Sequence, residues 1–420
     1  MDYDLVIIGA GWAGFYAAIT AKKAGLKVAL IEKGLIGGTC LNRGCIPTKS
    51  LLHSAKNFKL SHSFQPDFTQ IQAQKEKVIA LLQQGMQFNL KGIDYLQAEA
   101  KIISPTSVSA GSQELKTKSL IIASGSKPIQ VKGLEFDAKK ILSSDEILNL
   151  KARPASLLIV GGGVIGCEFA SFFHDLGTTV TLVEKMPQLL PNEDREVAKK
   201  LETLFKKKGI KVNTGVDAAT LDLANYELVL VCVGRQPNTE GLGLENAGVK
   251  VERGRIIIDE YLKTNIPNIY AVGDCTGKIM LAHYAAYQGQ IAAQNISQPS
   301  NLKKADNPIV PNCIFADPEI ASVGMNEEVA KTKGVEIKIN RFDFLGSGMA
   351  RVLEETDGFI KIISQSESGE LLGASIIGPR ATELIAVLTL AITNHLKVSQ
   401  IKDTIFAHPT ISEAIHEALN

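Results

Sequence analysis

The chain has 420 residues, too many for one hydrophobic core, so two to four domains are expected. Apolar residues make up 45% and charged residues 21%, and the net charge of +1 leaves no broad basic face for nucleic acid. No apolar run approaches the roughly 20 residues that a bilayer span requires, no basic leader precedes the first strand, and six cysteines do not make a secreted disulfide framework; the expected compartment is the cytoplasm.

The first element is an apolar strand, Leu5-Val6-Ile7-Ile8, running into Gly9-Ala10-Gly11-Trp12-Ala13-Gly14 and a helical pattern that Gly25 closes. A second strand, Val28 to Ile31, ends in Glu32. In such a unit the first glycine permits the tight turn, the second lets a pyrophosphate reach the backbone, and the third lets helix and strand pack closely. The helix N-terminus offers unpaired N–H groups to the phosphates, and the acid accepts from a ribose diol.

Next comes Gly37-Gly38-Thr39-Cys40-Leu41-Asn42-Arg43-Gly44-Cys45-Ile46-Pro47-Thr48-Lys49. In a regular helix, cysteines five apart face different ways and lie beyond the roughly 4.4–6.8 Å Cα separation of a disulfide. A bridge between them therefore requires a distorted turn, which Gly44 makes cheap, and a strained bridge is easily reduced. Zinc sites pair one C-x₂₋₄-C with a second ligand pair, and nothing nearby supplies one, so no metal is expected. Cys167, Cys232, Cys275 and Cys313 read as small hydrophobes in apolar or turn settings.

The opening unit recurs at a constant offset of 152 residues: Leu157 to Val160, then Gly161-Gly162-Gly163-Val164-Ile165-Gly166, a helix closed by Gly177, and a strand from Val180 to Val183 ending in Glu184. Two copies imply two dinucleotides in one chain. Glu184 suits a free ribose 2′-OH, which favours NAD over NADP, although Lys185 follows it directly.

Taken with this repeat, the run from Gly37 to Lys49 resembles the redox-active motif of the pyridine nucleotide-disulfide oxidoreductases. Within them it looks most like the dihydrolipoamide dehydrogenase branch, because glutathione reductases usually carry V-P-K-K where this chain has Ile46-Pro47-Thr48-Lys49. The likeness covers essentially the whole chain. Val233-Gly234-Arg235-Gln236-Pro237-Asn238, Tyr270-Ala271-Val272-Gly273-Asp274, Leu281-Ala282-His283, Asp317 to Gly324 and His408-Pro409-Thr410-Ile411-Ser412-Glu413 resemble later landmarks of the family in order. The implied fold is α/β, with two Rossmann-like domains and a C-terminal α+β dimerisation domain. The expected boundaries are 1–148 for the first part of the FAD domain, 149–268 for NAD, 269–307 for a returning FAD segment and 308–420 for the interface. Two strands around Ser366-Glu367-Ser368-Gly369 and two later helices complete that last domain.

The resemblance also implies roles. Cys40 and Cys45 form the redox disulfide, Cys40 exchanging with substrate and Cys45 facing the flavin. His408 is the base that makes thiolate from a group of ordinary pKa near 8.5, and Glu413 orients its imidazole. Lys49 lies near the flavin N5, bridged to Glu168, where an ammonium stabilises negative charge. FAD is held by the first glycines Gly9, Gly11 and Gly14, by Glu32 and Lys33, and by Gly38, Thr39 and Lys49. Ala100, Ser124, Gly125, Asp274, Ala282 and His283 complete that set. NAD is held by Gly161, Gly163, Val164, Ile165 and Gly166, with Glu184, Val216 and Gly234. Val164 stands where glutathione reductases carry a tyrosine. His53, His62, His174, His395 and His416 read as surface or packing residues. His408 serves the partner subunit, so a homodimer is implied, and a lipoyl-carrying subunit of a 2-oxo acid dehydrogenase or glycine cleavage complex is the implied partner.

The pattern departs from the family in places. Between Val216 and Glu227 the chain is cut short where relatives carry a β-meander, and it is trimmed again from Val108 to Lys118. Ala98 and Ala100 replace common glycines, Ala123-Ser124-Gly125 replaces A-T-G, and Gln288-Gly289 replaces E-G. A reductase of another disulfide, glutathione-like, is the alternative enzyme; mercuric reductase relatives end in a cysteine pair that this chain lacks. A purely structural role in a lipoyl complex is disfavoured by the intact cysteine and histidine motifs.

Overall fold

A computed structural model describes residues 1–60, 67–218 and 221–420. The chain opens with β1 (Tyr3–Ile8), α1 (Trp12–Lys23) and β2 (Val28–Glu32), then α2 (Gly38–Arg43), α3 (Cys45–Leu60) and α4 (Phe68–Asn89). Four strands follow: β3 (Asp94–Gln97), β4 (Ala100–Ser104), β5 (Ser107–Ala110) and β6 (Gln113–Ile122). β3, β2, β1 and the second half of β6 lie side by side in parallel, with Leu5 opposite Val28 on one side and Ser119 on the other. The first half of β6 instead pairs antiparallel with β5, and β5 with β4. β1 and β2 are near-continuous apolar runs because both faces of the sheet are covered, one by α1 and α7 and the other by β4, β5 and residues 244–256; Leu5, Val6 and Ile7 are fully buried.

After a link through β7 (Ser126–Pro128) and β8 (Ile141–Leu142), the unit repeats. β9 (Ser156–Val160), α5 (Val164–Asp175), β10 (Thr179–Glu184), α6 (Arg195–Lys208), β11 (Lys211–Thr214) and β12 (Leu228–Val231) build an all-parallel sheet in the order β11-β10-β9-β12-β8. The chain returns through β13 (Arg235–Pro237), paired antiparallel with β7, through the hairpin of β14 (Val251–Glu252) and β15 (Arg255–Ile256), and through β16 (Ile269–Ala271), which joins β6. α7 (Ala282–Ser297) then packs across α1, so closely that a Cβ on Gly289 would lie 2.1 Å from the Ala13 carbonyl oxygen.

The C-terminal unit contains β17 (Asn312–Ile314), β18 (Ile320–Gly324), α8 (Glu327–Thr332), β19 (Ile337–Asp343), α9 (Gly348–Val352), β20 (Phe359–Gln365) and β21 (Leu371–Ile377). Its five strands form an antiparallel sheet in the order β17-β18-β21-β20-β19. α10 (Ala381–Thr393), α11 (Val398–Lys402) and α12 (Glu413–Leu419) follow, and Leu384, Leu388 and Ile415 pack into its core. The expected α/β class with a C-terminal α+β unit is therefore what forms. Three helices, not the two expected, follow the β20–β21 hairpin; the extra one is the five-residue α11.

Two segments cross the expected boundaries. β8 precedes residue 149 yet extends the second sheet beside β12. Leu244, Ala247, Val249 and Ile256 precede residue 269 yet pack with Val6, Ile8 and Ile122 in the first core. Strand pairing and apolar contact decide membership here, and neither is visible in chain position. The trimmed Val108–Lys118 stretch is a tight hairpin, with Ala110 opposite Gln113. The second and third units are joined by Lys361, 2% exposed, whose ammonium pairs with Asp194 at 3.0 Å, with Glu196 at 3.2 Å and with Glu327.

Because Gly289 sits against backbone that cannot step aside, Gly289→Ala should force α7 away from α1. A loss of about 1–3 kcal/mol is expected from overpacking of this kind, measured as a lowered midpoint of chemical unfolding; an unchanged midpoint would show that the helices can slide apart freely.

Candidate functional site

The two glycine loops are built alike. Gly9 (φ +101°) and Gly161 (φ +114°) take up left-handed backbone, and a Cβ on either would collide with the carbonyl oxygen that ends the next strand, Ala123 at 2.3 Å and Cys232 at 2.6 Å. A Cβ on Gly14 would lie 1.8 Å from the Gly9 oxygen, and one on Gly166 would lie 1.9 Å from the Gly161 oxygen. These third glycines make the close strand–helix contact and do not line the cavity. The middle glycines, Gly11 and Gly163, are the N-caps of α1 and α5, and neither helix has a side-chain cap. Both open onto one cavity of about 690 Å³. Uncapped helix N-termini facing a cavity fit the pyrophosphates of the two implied dinucleotides.

The acids that end the second strands hold these loops. Glu32 accepts from the N–H of Ala10 and of Gly34, both at 2.8 Å. Glu184 accepts from Gly162 at 2.6 Å and from Met186 at 2.7 Å. Each carboxylate thus shapes its own phosphate loop in addition to the ribose contact expected of it.

The cysteine motif forms two helices broken at Gly44, where a Cβ would lie 3.1 Å from the Thr39 oxygen. The break puts Cys45 at the first position of α3 and brings its sulfur to that of Cys40. The Cys40 thiol donates to Cys45 and holds the Cys45 thiol down at about 7; Lys49 helps, and burial opposes. The same contact, followed by burial, pushes Cys40 far above the usual thiol range. The thiolate of the reduced pair accordingly belongs to Cys45.

Lys49 lies one helical turn beyond Cys45. Its Nζ donates to both oxygens of Glu168, at 2.7 and 2.8 Å, and sits 4.8 Å from the centre of the Phe315 ring. Glu168 also accepts from the Phe315 N–H at 2.9 Å. The expected Lys49–Glu168 bridge is present and spans three segments of the chain. On the other side of the motif, Arg235 donates to Ser126 Oγ at 2.8 Å, and that hydroxyl donates to Asp274 at 2.6 Å. Asp145 stands between Arg43, at 3.7 Å, and Arg235, at 4.0 Å, its pKa raised by burial.

Cys40, Cys45, Lys49 and Glu168 line the same cavity as the two loops, together with Thr39, Gly125, Asp274, Ala282, Val164, Ile165, Glu184 and Gly234. Other expected residues are elsewhere. Lys33 is exposed and faces Glu99. Ala100 is buried in β4 beside Ala110, inside the antiparallel extension of the first sheet. Gly38 packs on Gly11, Ser124 lies behind Gly9, and Val216 bonds the Glu184 carbonyl at 3.0 Å. His283 turns its ring to the Pro311 carbonyl at 2.9 Å and is not among the residues that line the cavity. His53, His395 and His416 bond to Asn57, Glu370 and Asn420, His174 is half-buried in α5, and His62 lies outside the described residues.

His408 and Glu413 find each other but not the cysteines of their own chain. His408 Nδ1 lies 2.8 Å from Glu413, and the imidazole is 80% exposed. The Thr410 N–H and then His408 hold the Glu413 carboxyl below its ordinary range. Trp12, Arg43, Arg235, Ser144 and Cys313 line the cavity without having been assigned there. Arg43 and Arg235 were visible inside the quoted motifs. Asp145, beside the cavity, carried no signal. Cys313, half-buried in the cavity wall, corrects its reading as a buried hydrophobe, while Cys167, Cys232 and Cys275 are buried as expected. Among the described residues no His/Cys/Asp/Glu cluster could hold a metal ion.

Two phosphate-type loops and a dithiol sharing one cavity mark a protein that couples thiols to dinucleotides. Residues 3–289 match the profile of the pyridine nucleotide-disulphide oxidoreductases, and residues 310–419 match their dimerisation domain; the chain belongs to this family. It is 39% identical to a dihydrolipoyl dehydrogenase of Bacillus subtilis over 99% of this chain and 97% of that one. It is 40% identical to a dihydrolipoyl dehydrogenase of Chlamydia muridarum over 99% and 96%. Its structure resembles the HOCl-induced flavoprotein disulfide reductase RclA from Escherichia coli, with a TM-score of 0.91 and 32% identity over 99% of both chains. LpdA from Mycobacterium tuberculosis superposes with a TM-score of 0.91 at 27% identity, over 99% and 98%.

Thiolate absorbance of the reduced protein should rise through a midpoint near pH 7, assigned to Cys45 by its loss in Cys45→Ser. A group with a depressed pKa is ionised above that midpoint, so Lys49→Met, which removes a stabilising cation, should move the midpoint upward. A midpoint that stays put would assign the depression to the Cys40 hydrogen bond alone.

Proposed function

We propose that this chain is a dihydrolipoyl dehydrogenase, oxidising protein-bound dihydrolipoamide with NAD+ through the Cys40–Cys45 disulfide and FAD. The observation that carries this reading is the dithiol pair, hydrogen-bonded and with one thiol held near neutrality, in the cavity that both glycine loops face. A substrate thiolate attacks Cys40, forming a mixed disulfide and releasing Cys45 as thiolate. The second substrate thiol then displaces Cys40, so lipoamide leaves oxidised while the enzyme pair holds two electrons. Bound FAD and NAD supply two-electron acceptance beyond the dithiol. The ammonium of Lys49, fixed by Glu168, lies where it would stabilise negative charge on the reduced cofactor. Gly11, Thr39, Gly125, Asp274 and Ala282 are assigned to FAD, with Gly9, Gly14 and Glu32 shaping its loop. Gly163, Val164, Ile165, Glu184 and Gly234 are assigned to NAD, with Gly161 and Gly166 shaping that loop. The domain assignment follows the sheets, with a first FAD unit, an NAD unit, a returning FAD segment and an interface unit.

The exposed imidazole of His408, held by Glu413, supports a base that acts across a subunit boundary. His408 of the partner subunit would take the proton from the substrate thiol. The C-terminal unit matches the family's dimerisation domain, and α10 exposes Val387 and Leu390, with Ile405 fully outward beyond it, apolar surface that a second copy would cover. The lipoyl-carrying subunit of a 2-oxo acid dehydrogenase or glycine cleavage complex is the proposed partner. No helix among the described residues is long and apolar enough to cross a membrane, and a cytoplasmic setting is proposed.

The purified protein should form NADH from dihydrolipoamide and NAD+, and His408→Ala should lower kcat by about two orders of magnitude or more, in keeping with loss of a general base. Mixing inactive Cys45→Ser and His408→Ala subunits should restore activity in the heterodimers, which hold one complete site. Dihydrolipoamide left untouched while NADH still reduces the flavin would point instead to another disulfide substrate. Activity that no subunit mixture restores would place the base within one chain.

A further inference from the structure

The first residues of the segment that the sequence shortens, 215–217, lie against the end of β10. The Gly215 N–H donates to the Met186 carbonyl at 2.8 Å, and the Val216 N–H donates to the Glu184 carbonyl at 3.0 Å. These bonds clamp residues 215–217 alongside residues 184–186. The clamp brings Asp217 to Lys185, with 3.0 Å between carboxylate and ammonium. Glu184 accepts from the Gly162 N–H of its glycine loop with one carboxylate oxygen and from the Met186 N–H with the other. Lys185 follows Glu184 directly and places a cation at the strand end where an adenosine ribose would meet Glu184. The wider cleft beyond Met186 offers no net positive charge, because Arg195, Lys199 and Lys206 are balanced by Glu196, Glu202 and Glu328.

We infer that Asp217 is a specificity-determining residue that excludes 2′-phosphorylated nucleotides by occupying Lys185. This rests on the assignment of the second glycine loop to a nicotinamide dinucleotide. A 2′-phosphate carries close to two negative charges and needs a cation at the edge of the ribose. Lys185 stands in the right place to provide one, but its ammonium is drawn to Asp217, and the Asp217 carboxylate adds a repulsive charge of its own. A free 2′-OH loses nothing by this arrangement, since it asks only for an acceptor. Selectivity is thus set by a residue of the shortened loop, 33 positions beyond the strand-end acid in the chain.

The test uses the flavin-loaded homodimer. kcat/KM for NADP+ and for NAD+ is measured with dihydrolipoamide, and binding of adenosine 2′,5′-bisphosphate and of ADP is measured by calorimetry. In D217N the NADP+/NAD+ ratio of kcat/KM should rise about five- to tenfold, the scale of freeing one exposed charge and removing another. D217E should keep the wild-type ratio. D217N/K185A should lose the gain, and the gain should shrink as salt is added. Adenosine 2′,5′-bisphosphate should bind more tightly to D217N than to the wild type. A ratio within about twofold of wild type in D217N, or a gain that survives K185A, overturns the inference while leaving the NAD site standing. Failure of ADP and NADH to bind any variant would overturn the nucleotide assignment, and the inference with it.

Discussion

One buried carboxylate holds the site together. Glu168, on α5 of the second unit, is 4% exposed, and its oxygens receive the Lys49 ammonium from the first unit and the Phe315 N–H from the third. An isolated carboxylate at that depth would be costly, and here it is fully paired. The pairing also fixes the geometry of the thiols. Cys45 and Lys49 are four residues apart on α3 and therefore share a face, so anchoring Lys49 sets how Cys45 faces the cavity. The dithiol, the cation and both glycine loops keep their relative positions because three parts of the chain meet on one charge.

The duplicated unit shows how one local code can be used twice with different surroundings. Both copies have left-handed first glycines, third glycines pressed onto the first, and acids that take N–H groups from their own loops. They differ in the setting of the lysine next to each acid. Lys33, beside Glu32, is exposed and loosely opposite Glu99. Lys185, beside Glu184, is paired with Asp217 on a loop bonded to the same strand end. Equivalent folding physics is thus compatible with distinct ligand choices, since the folding bonds use backbone groups and the choice rests on side chains around them.

The C-terminal unit contributes in a different manner. Its seam with the second unit joins apolar packing of Ile314, Ile320 and Phe359 to ion pairs, with the buried Lys361 and Asp194 beside the more exposed Glu196 and Glu327, and Lys208 on Asp317 at 2.6 Å. Groups of this kind lock orientation more than they add stability. The unit also carries the exposed His408 and Glu413, neither of which lines the cavity that holds the thiols of the same chain. A rigid seam and an exposed imidazole suit a unit that offers its base to a neighbour.

The sequence by itself determined whatever depends on contacts between near neighbours. The two glycine loops, the strands ending in Glu32 and Glu184, the broken turn at Gly44 and the α/β class were legible because each is settled by a few adjacent residues and by the apolar runs that both-face burial demands. The Lys49–Glu168 pair, although distant in sequence, was legible only through resemblance to a known family. What tertiary structure alone decided depends on segments far apart in the chain. β8 belongs to the second sheet, Leu244 to Ile256 return to the first core, Ala100 and His283 do not line the cavity, Cys313 does, and Asp145 and Asp217 meet Arg235 and Lys185. No local pattern carries such information, because a side chain's partner across a domain seam is set by how whole sheets and helices pack.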